Sequence, residues 1–592
     1  MSNSEQRICQ NCQASFGIDA SDFDFYNKIK VPPPTFCPDC RMKRRMTWRN
    51  ERALYKREDD FGKKIIAVFS VDKPYKVYEQ NHWRSDNWDI MAYGRDYDFS
   101  EPFFAQFSKL LQWVPQPNLA NIDLVNSDYV NYVSNCKNCY LVFGTDVCED
   151  VAYTARTVNS KSSYDLFVAN KVQLCYQNIN CHESYRVFFS INSSNNINSV
   201  FLNNCHNCEN CFGCVNLRNK KYHVFNKPYA PEEYQKEIAK FDLGSYQVIE
   251  ALQKQFQAFA ANFPRRFAMM LHAKNSTGDY LHKVNNCHYC FDVEGEAENV
   301  KFFVYGVPNT KDSMDLYGVG FKAELCYEMI ACGSSTQKSR FGLVSWASDD
   351  VQYCVHSYSS SNLFGCIGLK GKQYCILNKQ YSKEEYEALV PKIIEHMNTM
   401  PYTDKKGRVY RYGEFFPSEL SPFCYNETIA QEYFPLTKDQ AIEQGYSWKD
   451  PEPRNYQIDI KSADLPDNIK DVKDDIIGKV IECAHKGQCN EQCTEAFRII
   501  PQELQFYQRM NLPLPRLCPN CRHYQRLKQR NPLKLWTRQC QCGGQTSLNP
   551  SLRSGRADVY KNTARHEHKD QPCPNTFETS YAPDRPEIVY CE

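Results

Sequence analysis

"NCHNCENCFGC", Asn204 to Cys214, decides how the middle of this chain is read. Four cysteines, Cys205, Cys208, Cys211 and Cys214, recur every third residue. Taken alone, they look like an iron–sulfur cradle or a zinc knuckle. A second copy tests that reading. "CFGCVNLRNKKYHVFNKPYAPEEY" from Cys211 matches "LFGCIGLKGKQYCILNKQYSKEEY" from Leu363 at a shift of 152. There Cys205, Cys208 and Cys211 become Ser357, Ser360 and Leu363, and only Cys214 keeps a cysteine, Cys366. A required metal cage would not survive that exchange, whereas a tight corner that needs small side chains would. The spacing also departs from a ferredoxin run, which has three residues before its last cysteine and then proline; here two precede Cys214 and Val215 follows. Free cysteine packs as a small buried hydrophobe. The stretch therefore reads as repeat architecture.

Around it runs an aromatic rhythm: Tyr140, Tyr153, Tyr164, Tyr176, Tyr185, Phe201, Phe212 and Tyr222, then Phe291, Phe303, Tyr317, Tyr327, Phe341, Tyr353, Phe364 and Tyr374. The mean step is about a dozen residues, with short β-prone runs between Asn, Ser and Asp. That predicts a duplicated β-solenoid with two such units per coil; antiparallel sandwiches are the competing fold. Each half should end in a helix. Pro231 opens one, and Ser382 with Glu385 forms a capping box for the other. The segment after residue 245 should cap the open end of the first solenoid.

The two chain ends are copies of one module. From Cys12 and Cys493 onward they align without a gap at a shift of 481: Phe16 with Phe497, Phe25-Tyr26 with Phe506-Tyr507, Cys37 and Cys40 with Cys518 and Cys521, Arg49-Asn50 with Arg530-Asn531. Two cysteine pairs separated by 24 residues form a tetrahedral zinc signature, and the metal supplies folding energy that so small a core lacks. The candidate Zn2+ ligands are Cys9, Cys12, Cys37 and Cys40 at one end and Cys489, Cys493, Cys518 and Cys521 at the other. Cys540, Cys542, Cys573 and Cys591, with His566 and His568 nearby, offer a further C-terminal site. The matching N-terminal positions are Asp59, Phe61 and Glu79, so that copy should lack it.

Each module runs into a basic segment. Arg41, Lys43, Arg44, Arg45, Arg49 and Arg52 follow the first, and Arg522, Arg526, Lys528 and Arg530 follow the second. Clustered arginine beside a zinc module suits nucleic-acid phosphates, RNA or DNA. The alternatives are a solvated helix face and a face docked on an acidic surface.

The whole chain has 592 residues, thirty cysteines and a formal net charge of +1, so any nucleic-acid affinity must be local. No basic and apolar leader and no long apolar run is present in the sequence, which with the cysteine content points to a cytoplasmic protein without a membrane role. The expected organisation is mainly β. It comprises a zinc module with a basic helix over 1–60, a connector over 61–115, β-repeat halves over 116–229 and 276–381, a helical cap over 230–275, a helix over 382–400, an extended connector over 401–480, and zinc-ribbon or treble-clef-like modules over 481–592.

Together, "FCPDCRMKRRMTWRNERALYKR", "VDKPYKVY", "FGCVNLRNKKYHVFNKPY", "YNETIAQEYFPL" and "EAFRIIPQELQFYQRMNLPLPR" resemble a family of cytoplasmic zinc-ribbon proteins of small-genome bacteria. The resemblance spans nearly the whole chain. It implies zinc ribbons around a Cys/Asn-rich repeat and implies no activity. An acyl-CoA transferase label on some members finds no support in these residues. The chain departs from the family pattern at Glu79 and His82, where a cysteine pair is expected.

No phosphate-binding loop, dinucleotide fingerprint or metalloprotease motif occurs. The Cys-His dipeptides at 181, 205 and 287 point to opposite faces of a strand and make poor catalytic pairs. The expected function is a zinc-binding scaffold that holds nucleic acid or ribonucleoprotein through the basic helices and a protein partner on the solenoid. The alternatives are a solenoid enzyme acting on a carbohydrate or acyl substrate, and a purely protein-binding assembly module.

Overall fold

The computed structural model describes residues 4–452, 456–542 and 571–591. Its centre is built on a triplet. From Asp123 to Phe225, one residue in three is left-handed: φ is +54° at Asn204, +54° at Asn207, +52° at Asn210 and +65° at Gly213. Asn and Gly tolerate that conformation best, which explains the Asn-rich composition. The strands pair in parallel at a step of 12, as in Glu149 with Lys161, Ala155 with Phe167 and Ile197 with Glu209. Four triplets thus close one coil. The sequence reading of two dozen-residue units per coil is corrected: the dozen is a whole coil, because a left-handed residue turns the chain after every third position.

The residue after each corner points inward. Cys205, Cys208, Cys211 and Cys214 are such residues and line the inside of one coil, all fully buried. The inward position takes aliphatic side chains as well, such as Leu166, Val187 and Leu202, and the Ser and Cys residues there answer a backbone need. Ser193 donates to the carbonyl of Ile191 (2.9 Å) and accepts the Cys205 N–H of the next coil (3.2 Å). Ser199 does the same for Ile197 and Cys211 (2.8 and 3.0 Å), and Cys136 for Ser134 and Cys148 (3.3 Å each). Ser and Cys are interchangeable in this relay because each is a donor and an acceptor. Part of the aromatic rhythm is one column: Tyr164, Tyr176 and Phe188 pair one coil apart, and Tyr140 and Phe212 extend it through Ala152 and Val200, whereas Tyr185 belongs to another column.

The first solenoid spans strands from Ile122–Val125 to Lys221–Val224, and the second from Met270–Lys274 to Gln373–Ile376. The second begins inside the stretch expected as helical cap. Its middle coils take 13 residues, as in Val300 with Ser313 and Tyr327 with Arg340, before the step returns to 12 at Asp349 with Ser361. Both halves end alike. Tyr234 of helix Pro231–Ile238 packs edge-on to Tyr222 (5.6 Å), and Tyr386 of helix Lys383–Thr399 to Tyr374 (5.8 Å). The Ser382–Glu385 capping box is formed, with Ser382 Oγ accepting the Glu385 N–H at 3.2 Å. Helix Tyr246–Ala261 packs on the last coils of the first solenoid, with Phe259 against Phe225 at 5.3 Å. It lies along the flank, with Phe256 against Phe201 at 5.8 Å, because its apolar stripe meets the aromatic column.

The stretch expected as an extended connector is well packed. Phe415 and Phe416 are fully buried, and Leu465, Ile469, Val472 and Ile476 join the core under the C-terminal module. Among the described residues no helix is long and apolar enough to cross a membrane.

The relay predicts an asymmetry between substitutions at one inward site. Cys208→Ser keeps donor, acceptor and volume and should change stability by under about 1 kcal/mol, whereas Cys208→Leu should cost about 1–3 kcal/mol through overpacking. Paired denaturant titrations of the two variants read the difference.

Candidate metal centres

The N-terminal module begins with hairpin Glu5–Ile8 and Ser15–Ile18, whose turn carries Cys9 and Cys12. Cys37 is the N-cap of helix Pro38–Met46, with proline opening the helix, and Cys40 lies in its first turn. The helix N-terminus favours negative charge on these thiols. The four sulfurs lie within 4.8 Å of one another, and Cys12 and Cys37 are 3.7 Å apart. Bonds of ~2.3 Å in a tetrahedron put sulfurs about 3.8 Å apart, so this spacing fits a tetrathiolate ion.

In the C-terminal module the converging sulfurs are Cys483, Cys493, Cys518 and Cys521. Cys518 caps helix Pro519–Lys528 as Cys37 caps its counterpart. Cys483 to Cys521 is 3.9 Å and Cys493 to Cys518 is 4.0 Å. Cys489, expected in this set from its closeness to Cys493, is replaced there by Cys483. The reason lies in the hairpin: Cys483 directly follows strand Ile481–Glu482, as Cys9 follows Glu5–Ile8, and the C-terminal turn carries an insertion. Cys489 sits in that insertion, with His485 and Glu491, 3.7 Å from Cys521. The sequence signal is only the cysteine itself, and the longer spacing conceals it.

Cys540, Cys542 and Cys573 also converge, with Cys540 and Cys542 at 3.4 Å. They border hairpin Trp536–Gln539 and Thr576–Thr579. Cys591 is beside them, its N–H donating to Cys540 Sγ at 3.2 Å. His566 and His568 lie outside the described residues. The N-terminal copy of this hairpin, Tyr55–Glu58 with Lys64–Ala67, is closed by aromatic contacts instead: the Phe61 ring is 4.5 Å from His82 and 4.9 Å from Tyr78, and Glu79 pairs with Lys63 at 3.6 Å. Cys205 to Cys214 are not among the converging groups of the described residues. Burial pushes the neighbouring Cys175 and Cys181 thiols up to about 12, which keeps them neutral donors.

The basic segments turn inward. Arg522 and Arg526 grip opposite oxygens of Asp165 on the first solenoid (2.7 and 2.6 Å). Their counterparts, Arg41 and Arg45, grip opposite oxygens of Asp315 on the second (2.9 Å each). Both aspartates stand at left-handed corners, φ +57° and +60°, which aim them outward. Arg44 bridges Glu328 and Glu414 at 2.7 Å each. Arg49 pairs with Glu51, Arg530 with Asp292, and Lys528 with Glu491. Arg52 is 3.8 Å from Glu432, and the half-buried Lys43 bonds Gln444 at 3.1 Å. Seven of these ten cations (Arg41, Arg44, Arg45, Arg49, Arg522, Arg526 and Arg530) are buried, so they are not presented to phosphate; docking on an acidic surface, one of the readings the sequence allowed, is what the packing gives. The helix itself ends at Met46, and Asn50 closes the following turn through Ala53 and Val68 carbonyls (2.8 and 3.0 Å).

The docking is crossed. The N-terminal helix holds the second solenoid, while its module's strand Val77–Tyr78 pairs with Gln116–Pro117 at the entry to the first. The C-terminal helix holds the first solenoid, while strand Val589–Tyr590 pairs with Arg265–Arg266 at the entry to the second. Each module therefore bridges both halves, and the two meet where Arg52 and His523 flank Glu432, with His523 Nε2 3.3 Å from its carboxylate. Burial raises Glu432 to about 7, and burial beside Arg52 and Arg526 holds His523 well below its ordinary value.

No family model matches the chain, and no curated protein matches it. Of the architecture expected from the sequence, the structure has the solenoid centre and cysteine groups able to hold a metal. Among the solved chains that match is a putative acetyltransferase from Desulfovibrio desulfuricans G20, 10% identical over 57% of this chain and 84% of that one, with a TM-score of 0.10. At that score it bears on neither fold nor activity here.

Two predictions follow from the clamp. Asp165→Asn leaves two buried guanidinium groups short of a counter-charge and should lower stability by about 3–5 kcal/mol, and Asp315→Asn should match it; unfolding midpoints of the two variants test the equivalence. Burial holds Glu432 at about 7, above the ordinary glutamate range, so its contribution is complete in acid and is lost as pH rises through 7. Glu432→Gln should flatten that part of the stability profile, gaining on the parent as pH rises from 5 to 8.

Proposed function

We propose that this protein is a zinc-stapled scaffold whose solenoids present a fixed outer face to a protein partner. Three observations support zinc in the end modules: all-thiol donor sets, sulfur separations that match a tetrahedral ion, and helix N-termini behind the thiols. The metal holds each module in the shape that lets its helix cross to the opposite solenoid.

The observation that carries the partner reading is one outward column of the first solenoid. Lys137, Glu149 and Lys161 pair along it at 3.4 and 2.7 Å, and Glu209 pairs with Lys221 at 2.7 Å. Between these charged ends stand Tyr185 and Ile197, 40% and 43% exposed and paired across one coil step. An apolar centre with a polar rim on a rigid support is the anatomy of a protein-binding patch. Self-paired charges leave little net field for a polyanion.

The enzyme alternative calls for converging carboxylates open to a substrate. The acids that do gather here, Asp315 with Glu328 and Asp165 with Glu503, are buried against arginine.

The test is Tyr185→Glu with Ile197→Glu in the full chain. The pair should leave thermal stability and zinc content unchanged and abolish co-purification of a nuclease-resistant protein partner. Retention of that partner would sink the assignment of the face. A partner lost on nuclease treatment, with binding that falls steeply in salt, would instead restore the nucleic-acid reading.

A further inference from the structure

The two zinc modules differ most at one place, the hairpin turn. In the N-terminal copy, Asn11 donates its side-chain N–H to the Cys40 sulfur at 3.2 Å. Such a donor satisfies a metal-bound thiolate from outside. Cys521 occupies the place of Cys40 in the C-terminal copy, and its neighbour across the turn is the Cys489 sulfur at 3.7 Å. Two sulfurs so close need a proton or a cation between them.

The inserted turn supplies two further donors. His485, Cys489, Glu491 and Cys521 offer ligand atoms all within 4.8 Å of one another. Glu491 is 3% exposed. Lys528 and the Gln525 side chain take its Oε1, while Oε2 faces His485 Nδ1 at 3.2 Å, and neither of these two buried atoms has a hydrogen-bond partner. A carboxylate oxygen and an imidazole nitrogen thus converge with two sulfurs on one point, a donor set that suits zinc.

We propose that the C-terminal module is a two-metal centre: one ion is held by Cys483, Cys493, Cys518 and Cys521, and a second by His485, Cys489, Glu491 and a bridging Cys521. The second ion is held partly by exposed groups, since the His485 side chain is 28% accessible and Cys489 is half-buried, so it exchanges faster than the enclosed first ion. The seven-residue lengthening of the turn, from a Cys9–Cys12 spacing of 3 to a Cys483–Cys493 spacing of 10, is what creates the site. The N-terminal module has no counterpart to it.

The proposal rests on the zinc reading of the modules, and the test separates the two. Full-length protein and the His485→Ala, Cys489→Ser variant are equilibrated with zinc, freed of excess, and analysed for metal per chain. The variant should hold one ion fewer than the parent and keep its unfolding midpoint within the range of a surface change. Cobalt substitution should show thiolate-to-cobalt absorbance growing through one more equivalent in the parent than in the variant. Equal metal counts would overturn the second site. A parent without zinc would sink the module reading itself. Should the double variant fail to fold, Glu491→Gln carries the same count, and an unchanged stoichiometry there overturns the proposal equally.

Discussion

The structure depends on one backbone constraint, a left-handed residue at every third position. It turns the chain four times in twelve residues and leaves a narrow interior of small and aliphatic side chains. It also exposes inward-facing N–H groups that must be answered. Ser, Thr, Cys and Asn at the inward position answer them, and the same residue type can then change from copy to copy without harm. At the outer side, each corner aims a residue away from the coil. Asp165 and Asp315 owe their position to that geometry, and the arginine clamps depend on them.

The clamps explain why so many cations are buried in a chain of balanced charge. A buried ion pair gains little net energy over an apolar contact, because desolvation offsets attraction. What it gives is register: two guanidinium groups a helical turn apart fit the two oxygens of one aspartate. The crossed arrangement follows. Each end module holds the distant solenoid with its helix and the entry to the other solenoid with a strand, so the two halves of the duplication cannot part without both modules letting go. The convergent thiols stand at the start of the helices that carry the arginines, so an ion held there would be linked to assembly.

Much of this was legible in the chain. The 152-residue and 481-residue shifts exposed both duplications, and the exchange of Cys205 and Cys208 for serine separated packing cysteines from converging ones. The coil length is hard to read from aromatic residues because they recur at several positions of the coil, whereas a left-handed residue at every third position marks each side. Cys483 was missed because ligand spacing was read along the chain, and a hairpin tolerates a longer turn without moving its base.

The sequence by itself determined the repeat, the cysteine chemistry and the existence of two matched basic helices, since local conformation and residue type are encoded by adjacent positions. Only the tertiary structure decided where those helices point. Arg41 and Asp315 lie 274 residues apart, as Arg522 and Asp165 lie 357 apart, and nothing in the composition of a basic helix says whether its partner is a phosphate outside or a carboxylate within. Burial settles it, because a guanidinium closed off from water must find its counter-charge in the fold.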